Sequence, residues 1–331
     1  MIAHKQTDDE IDKIQRHLAV LYAAAQRAVN KKLKEYAASI KEADALYEKI
    51  GKAETETEKR SAESAYRLFF AKLTKSDGYK ALSKGIAKDL TAVNKQAAKY
   101  INTKTPAAYA ENYNAIGQGL QKDLNGYEFK AVTVTEAAEY ANIQKQTIDT
   151  AEDTKWNAKT LVKSVIAGAV IGKAVDKIFG DAARKIVSQN RASAFRQASD
   201  MMTGAENTGR LHSMYRASDE GFTVKKYWLC AKDNRTRDSH IYYDSMPPVE
   251  LDYEYAPGLK RPRDPDCGIM EEVCNCRCSI QFDAGFGRSS TMAAREGEVT
   301  GSYMRGSSFS GTETVTVPNM SYEEWMRWRF Q

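Results

Sequence analysis

The residues in this chain best suited to chemistry are five cysteines and a histidine that falls among them. Cys230, Cys267, Cys274, Cys276 and Cys278 all lie between positions 230 and 278, and His240 sits inside that span. Thiolate sulfur and imidazole nitrogen are donors that zinc favours, and a structural zinc site gathers about four of them tetrahedrally. Cys230, His240, Cys276 and Cys278 could supply that set. Cys276 and Cys278 stand two apart, so on a strand they share a face, and Cys274 would join them. The spacing is not that of a Cys-x2-Cys knuckle. The same residues admit a plainer reading, in which the thiols are small buried hydrophobes and His240 is hydrogen-bonded to a carboxylate. An odd cysteine count, with no secretory signal read at the N-terminus, argues against a disulfide framework.

Charged residues surround this cluster. In YWLCAKDNRTRDSH (227–240), Asp233, Arg235 and Arg237 form either a turn fixed by ion pairs or an anion site. On the first reading Arg237 or Arg277 pairs with Asp233 or Glu272. On the second, the guanidinium forks take a phosphate of DNA. A catalytic reading would pair His240 with Asp233 or Asp238 as acid and base, or set Cys276 beside His240 as a nucleophile. The chain has no Gly-rich phosphate loop, HExxH or GxSxG, and we expect no enzyme.

Particular elements must hold these residues in place. FTVKKYWLC (222–230) is β-branched and aromatic and reads as a strand. A short helix follows with His240. Pro247, Pro248, Pro257, Pro262 and Pro265 fall in 246–266, so that segment is an ordered loop rather than a helix. CRCSIQF (276–282) reads as a second strand. Upstream, the pattern is helical. Ile11, Ile14, Leu18, Leu21, Ala25, Val29, Leu33, Tyr36, Ile40, Ala43, Tyr47 and Ile50 recur at steps of three and four, a long amphipathic ridge with coiled-coil-like spacing. It suits an intramolecular helical hairpin, with self-association through these N-terminal helices as the alternative.

Further helices are expected over 59–75, from the Ser76-Asp77-Gly78 turn to about Tyr100, and from Pro106 to Asn125-Gly126. Thr133 and Glu136 form a capping box. Residues 155–220 continue the pattern through Trp156, Leu161, Val165, Ala169 and Ile171, with a break at Gly180-Asp181. Beyond Gly285 the chain reads as an extended arm closed by an aromatic anchor, Trp325, Trp328 and Phe330. The expected fold is therefore mainly α with a small α+β module: long N-terminal helices, a helical middle, a short sheet near residues 222–282 and a C-terminal arm. The expected divisions are 1–150, 151–285 and 286–331.

Composition limits the function classes. The chain has 331 residues, 28% of them charged, and a mean hydropathy of −0.59. Its most apolar run, Ser164 to Gly172, is far short of the ~20 residues a membrane span needs. The net charge is +5, and no segment concentrates the basic residues as a dedicated nucleic-acid module does.

The joint arrangement of Trp228, Asp233, Arg235, Thr236, Arg237 and His240, then a proline-rich gap, then Asn275, Cys276, Arg277 and Cys278 resembles the Mu F-like phage head morphogenesis proteins, or minor capsid proteins. The resemblance covers roughly 155–331. It implies a low-copy structural component of a tailed-phage head, acting in assembly and in the packaging or ejection of DNA. It also implies the portal protein and major capsid protein as partners, phage DNA as a further one, and a location in the virion after assembly in the host cytoplasm. The alternatives are a zinc-stabilised module that contacts DNA and a hydrolase or nuclease built on His240.

Overall fold

The computed structural model describes residues 5–141, 150–231, 235–285, 297–305 and 308–317. It is mainly helical with a small antiparallel sheet, as the periodicity predicts. The helices are α1 (Lys5–Ser39), α2 (Lys41–Lys52), α3 (Glu56–Leu73), α4 (Asp77–Asp123), α5 (Val134–Ala141), α6 (Thr150–Val170) and α7 (Val175–Asp219). Then come β1 (Lys225–Leu229), α8 (Asp238–Ser245), α9 (Met270–Val273), β2 (Ser279–Asp283), β3 (Gly297–Arg305) and β4 (Ser308–Val317). No described helix is long and apolar enough to cross a membrane.

The compact units do not follow the linear division expected from the sequence. One gathers Met1–Lys13, Ile101–Gln146 and Arg196–Gln331; the other gathers Ile14–Tyr100 and Thr147–Phe195. The reason is the length of α1, α4 and α7, each of which contributes residues to both units.

In the second unit, the buried ridge of α1 runs Ile14, Leu18, Tyr22, Ala25, Val29, Leu33 and Ala37. Tyr22 and Ala37 take the places expected for Leu21 and Tyr36, which are only partly buried. The ridge packs within the chain. Tyr22 donates to Asn94 on α4 at 2.6 Å, and His17 stacks on Tyr100 at 3.8 Å. The ridge is also broken: α1 ends at Ser39, whose hydroxyl donates to the Tyr36 carbonyl, and α2 restarts after Ile40. Helix α3 opens on a capping box, with Thr55 and Glu58 exchanging hydrogen bonds.

Three further expectations need correction. Helix α4 runs through Pro106 instead of restarting there. The proline removes one hydrogen bond, but Ile101, Thr105, Ala108 and Tyr109 stay buried on either side of it. Helix α7 runs through Gly180, because Ile178, Phe179, Ala182 and Ala183 around it are buried; the true break is Gly172, at φ +71. Trp156 and Ile171, which the helical pattern grouped with Leu161, Val165 and Ala169, are exposed, whereas those three are buried.

The stop at Asn125-Gly126 is as expected, with Gly126 at φ +85, and Thr133 with Glu136 forms the capping box that opens α5. In place of an extended arm, β3 and β4 form an antiparallel hairpin with an irregularity at Ser302/Tyr303. The alternating Thr and Val of the second strand explain it. The aromatic anchor, Trp325, Trp328 and Phe330, lies outside the described residues.

The first unit holds the sheet. β1 pairs antiparallel with β2, Lys225 opposite Asp283 through to Leu229 opposite Ser279. Both strands are shorter than their sequence patterns suggest. The α4 and α7 backbones approach closely at Gly209, where an added Cβ would lie 2.3 Å from the Tyr109 carbonyl oxygen. The core under the sheet collects Trp228, Tyr243, Leu251, Tyr255, Leu259 and Ile280. The proline loop is ordered, as expected, and Leu251, Tyr255, Leu259, Arg261 and Arg263 of it are buried.

Candidate metal centre

The centre is assembled from the ends of β1 and β2 and from two short helices. The register sets Trp228 opposite Ile280. Trp228 is fully buried and meets three rings edge-on: His240 at 5.0 Å, Tyr243 at 5.3 Å and Tyr255 at 5.0 Å. Edge-to-face aromatic contacts of this kind favour one fixed arrangement. The Trp therefore forms the floor on which α8 places His240.

The Cys-x-Cys pair is not on a strand, as the spacing suggested. β2 begins at Ser279, and the chain turns ahead of it over residues 273–276. Asn275 has φ +56, a left-handed conformation that asparagine tolerates better than most residues. The Cys276 N–H donates to the Val273 carbonyl, and the Cys278 N–H donates to the Cys276 sulfur at 3.5 Å. The turn thus wraps one thiol and brings the second beside it.

His240 Nδ1 lies 3.6 Å from Cys276 Sγ and 3.4 Å from Cys278 Sγ. All three residues are buried, and their donor atoms lie within 4.8 Å of one another, so the cluster could hold a metal ion. Two sulfurs and one nitrogen make a soft donor set that suits zinc. The expected fourth member, Cys230, is buried but not part of this group. The strand pairing ends one residue earlier, at Leu229 opposite Ser279, and the Cys230 N–H donates to Asp244 Oδ1. Cys274 also stays out: it is half-buried, and its carbonyl accepts from Arg237.

Electrostatics separate the two thiols. Burial opposes ionisation of Cys276, but hydrogen bonds to Cys278 and His240 and the charges of His240 and Arg263 outweigh it and hold this thiol well below its ordinary pKa. Cys278 moves the other way, pushed well above its usual value by burial and by Cys276 beside it.

The opposite face of His240 meets a carboxylate. Nε2 lies 3.0 Å from Glu272 Oε2, an ion-pair distance, although the ring N–H is not aimed along it and has no other partner. We read the pair as a close electrostatic contact, because the distance is short while the angle is poor. Ser239 Oγ donates to the same carboxylate oxygen at 3.0 Å.

Of the two arginines expected to pair with Asp233 or Glu272, Arg237 has a described partner of another kind. Arg237 donates to the Cys274 carbonyl and so ties the start of α8 to the end of α9. Glu272 is taken by His240 and Ser239 instead. Arg235 is exposed, Arg277 is half-buried, and Asp233 lies outside the described residues. Sequence reasoning missed Arg263, which lies in the proline loop at φ +64, donates to the Cys276 carbonyl at 3.1 Å and pairs with Asp200 of α7. Burial pushes Asp200 up, against the opposing pull of Arg263.

It also missed Asn207 of α7. Its side-chain amide donates to the Cys278 carbonyl at 3.2 Å and accepts from the Ile280 N–H at 2.9 Å. Beside it, Glu206 and Arg210 form a buried ion pair at 3.2 Å. Arg210 also donates to Asn112 Oδ1 and to the Ile280 carbonyl, and Ser279 Oγ donates to Glu206. The Glu206–Arg210 spacing of four on one helix was a visible signal for a pair. Nothing in the sequence singled out Asn207. The chain matches no protein-family model, and no curated protein and no solved structure matches it either.

Proposed function

We propose that this protein is a structural component of a tailed-phage head, of the Mu F-like head morphogenesis kind. It acts in head assembly beside the portal and major capsid proteins, and in the packaging or ejection of DNA. One observation carries the reading. Residues that bear the sequence resemblance, Trp228, His240, Cys276 and Cys278, come from two distant stretches and meet in one buried centre, with Asn275 and Arg237 shaping its turns. A centre this closed suits a scaffold that fixes a module's shape, and it gives a polymeric or small-molecule substrate no approach to His240. This favours assembly over the hydrolase or nuclease reading.

The test is the composition of purified particles from the phage or prophage that encodes the chain. The protein should be present at low copy, should cross-link to the portal, and its deletion should leave heads empty or unassembled. Absence from particles, with normal heads in the deletion, would refute it.

A second reading is favoured by the convergence of two sulfurs and one nitrogen within 4.8 Å. Here the cluster binds zinc, and the zinc-stabilised module contacts DNA. Stoichiometric zinc in the purified protein, with DNA affinity that falls as salt rises, is the expected result. A metal-free folded protein would remove it.

A further inference from the structure

We propose that Glu272 is the residue that orients His240 for zinc, fixing its proton on Nε2 so that Nδ1 presents a lone pair to a metal held with Cys276 and Cys278. The proposal rests on the zinc reading given above.

Three observations lead to it. The two ring nitrogens have different surroundings: Nδ1 faces both sulfurs, at 3.6 and 3.4 Å, and Nε2 faces the Glu272 carboxylate at 3.0 Å. His240 is 1% exposed, and its buried Nε2 makes no hydrogen bond to another described residue. The carboxylate is itself anchored, because Ser239 Oγ donates to the same oxygen and Arg237 ties the chain after Glu272 to the start of α8.

A metal-bound histidine commonly donates its second N–H to a carboxylate. That hydrogen bond sets the tautomer, holds the ring in plane with the metal and raises the basicity of the ligating nitrogen. Here a ring rotation that aligned the Nε2 N–H with the Glu272 oxygen, already 3.0 Å away, would complete that arrangement. The Cys278 N–H to Cys276 sulfur bond is a further device of the same kind, since it stabilises charge on a ligating thiolate. Three protein donors leave one of zinc's four positions for another ligand.

The experiment uses the full chain, stripped of metal and titrated with zinc against a chromophoric chelator, in wild type and in Glu272→Gln. Both should bind one zinc per chain. The Gln variant should bind about 10- to 100-fold more weakly, because its amide no longer accepts the N–H as a charged group. Cys276→Ser combined with Cys278→Ser should bind none.

A second measurement does not depend on any variant folding. The chain has only 4 histidines, so 15N NMR of the zinc-loaded wild type can resolve His240, which should carry its proton on Nε2 and its metal on Nδ1. Equal zinc affinity in wild type and Glu272→Gln would overturn the proposal while leaving the zinc reading standing, as would coordination through Nε2. Failure of the wild type to bind zinc would overturn both.

Discussion

The helical unit of residues 14–100 and 147–195 and the sheet-bearing unit around β1 and β2 both bury polar groups, with different chemistry. In the helical unit the buried polar groups are neutral. Asn94 donates to Asn190 at 2.7 Å, Asn190 donates to Asn157 at 2.7 Å, and Tyr22 donates to Asn94 at 2.6 Å. Four elements, α1, α4, α6 and α7, are thus linked by a ladder of amides in an otherwise apolar bundle. In the other unit the interior holds full charges: Glu206 with Arg210, Arg263 with Asp200, and the Lys226 ammonium. Amides cost little to bury and can select one helix register from several. Charges are far more costly to bury, and each is surrounded by specific acceptors or an opposite charge. The first device aligns long helices; the second fixes a small module whose loops have little regular structure of their own.

The comparison can be broken most sharply at the charged side. Arg210→Ala takes the guanidinium away from Glu206, which is 0% exposed, and it should cost about 3–5 kcal/mol in urea unfolding. Replacing both partners by Met and Leu should recover most of that loss. If the double variant is no better than the single, the pair is not the source of the penalty.

The neutral side should be gentler. Asn190→Ala leaves the Asn94 and Asn157 amides short of a partner and should cost about 1–3 kcal/mol by the same measurement. A loss equal to that of Arg210→Ala would remove the contrast.

Lys226 tests the charge argument by pH. Its Nζ donates to the carbonyls of Leu251, Tyr253 and Lys260 at 2.6, 2.8 and 2.7 Å. Burial, with Lys260 adding to it, pushes its pKa down to about 7 from an ordinary 10.5. Below about 7 the amine is charged in both folded and unfolded chains and adds no pH dependence. Above about 7 the folded chain releases a proton that the unfolded chain keeps until 10.5, so stability should rise with pH across that window. Relative to Lys226→Met, the wild type should gain at most about 1.4 kcal/mol per pH unit. A flat difference would mean that the three carbonyls hold the ammonium form. The smallest effect is expected at the helix start: Thr55→Ala removes the α3 capping box and should cost about 1 kcal/mol in thermal unfolding.

Much of the fold was legible because helix periodicity is a local signal. The ridge of α1, the capping box at Thr133 and the two strands around Trp228 and Ile280 all follow from neighbouring residues. Two of the errors share one physical cause. Pro106 and Gly180 are local breakers, but buried neighbours on both sides outweigh a lost hydrogen bond or a glycine's entropy. The candidate centre was legible in part: His240, Cys276 and Cys278 were singled out by type and clustering, but so was Cys230, which is not in it. Its geometry was not legible. The turn at Asn275 depends on a left-handed backbone, and the roles of Glu272, Arg263 and Asn207 depend on contacts between residues far apart in sequence.

Asn207 has a consequence for how other molecules can engage this module. The outward edge of β2 would ordinarily offer the Cys278 carbonyl and the Ile280 N–H and carbonyl to an incoming chain. Asn207 and Arg210 occupy all three. On the far side of β1, Lys226 exchanges backbone hydrogen bonds with Val249 of the proline loop. At these positions the edges of the two-stranded sheet are already taken by side chains and a loop, so these backbone groups are not on offer to an added strand.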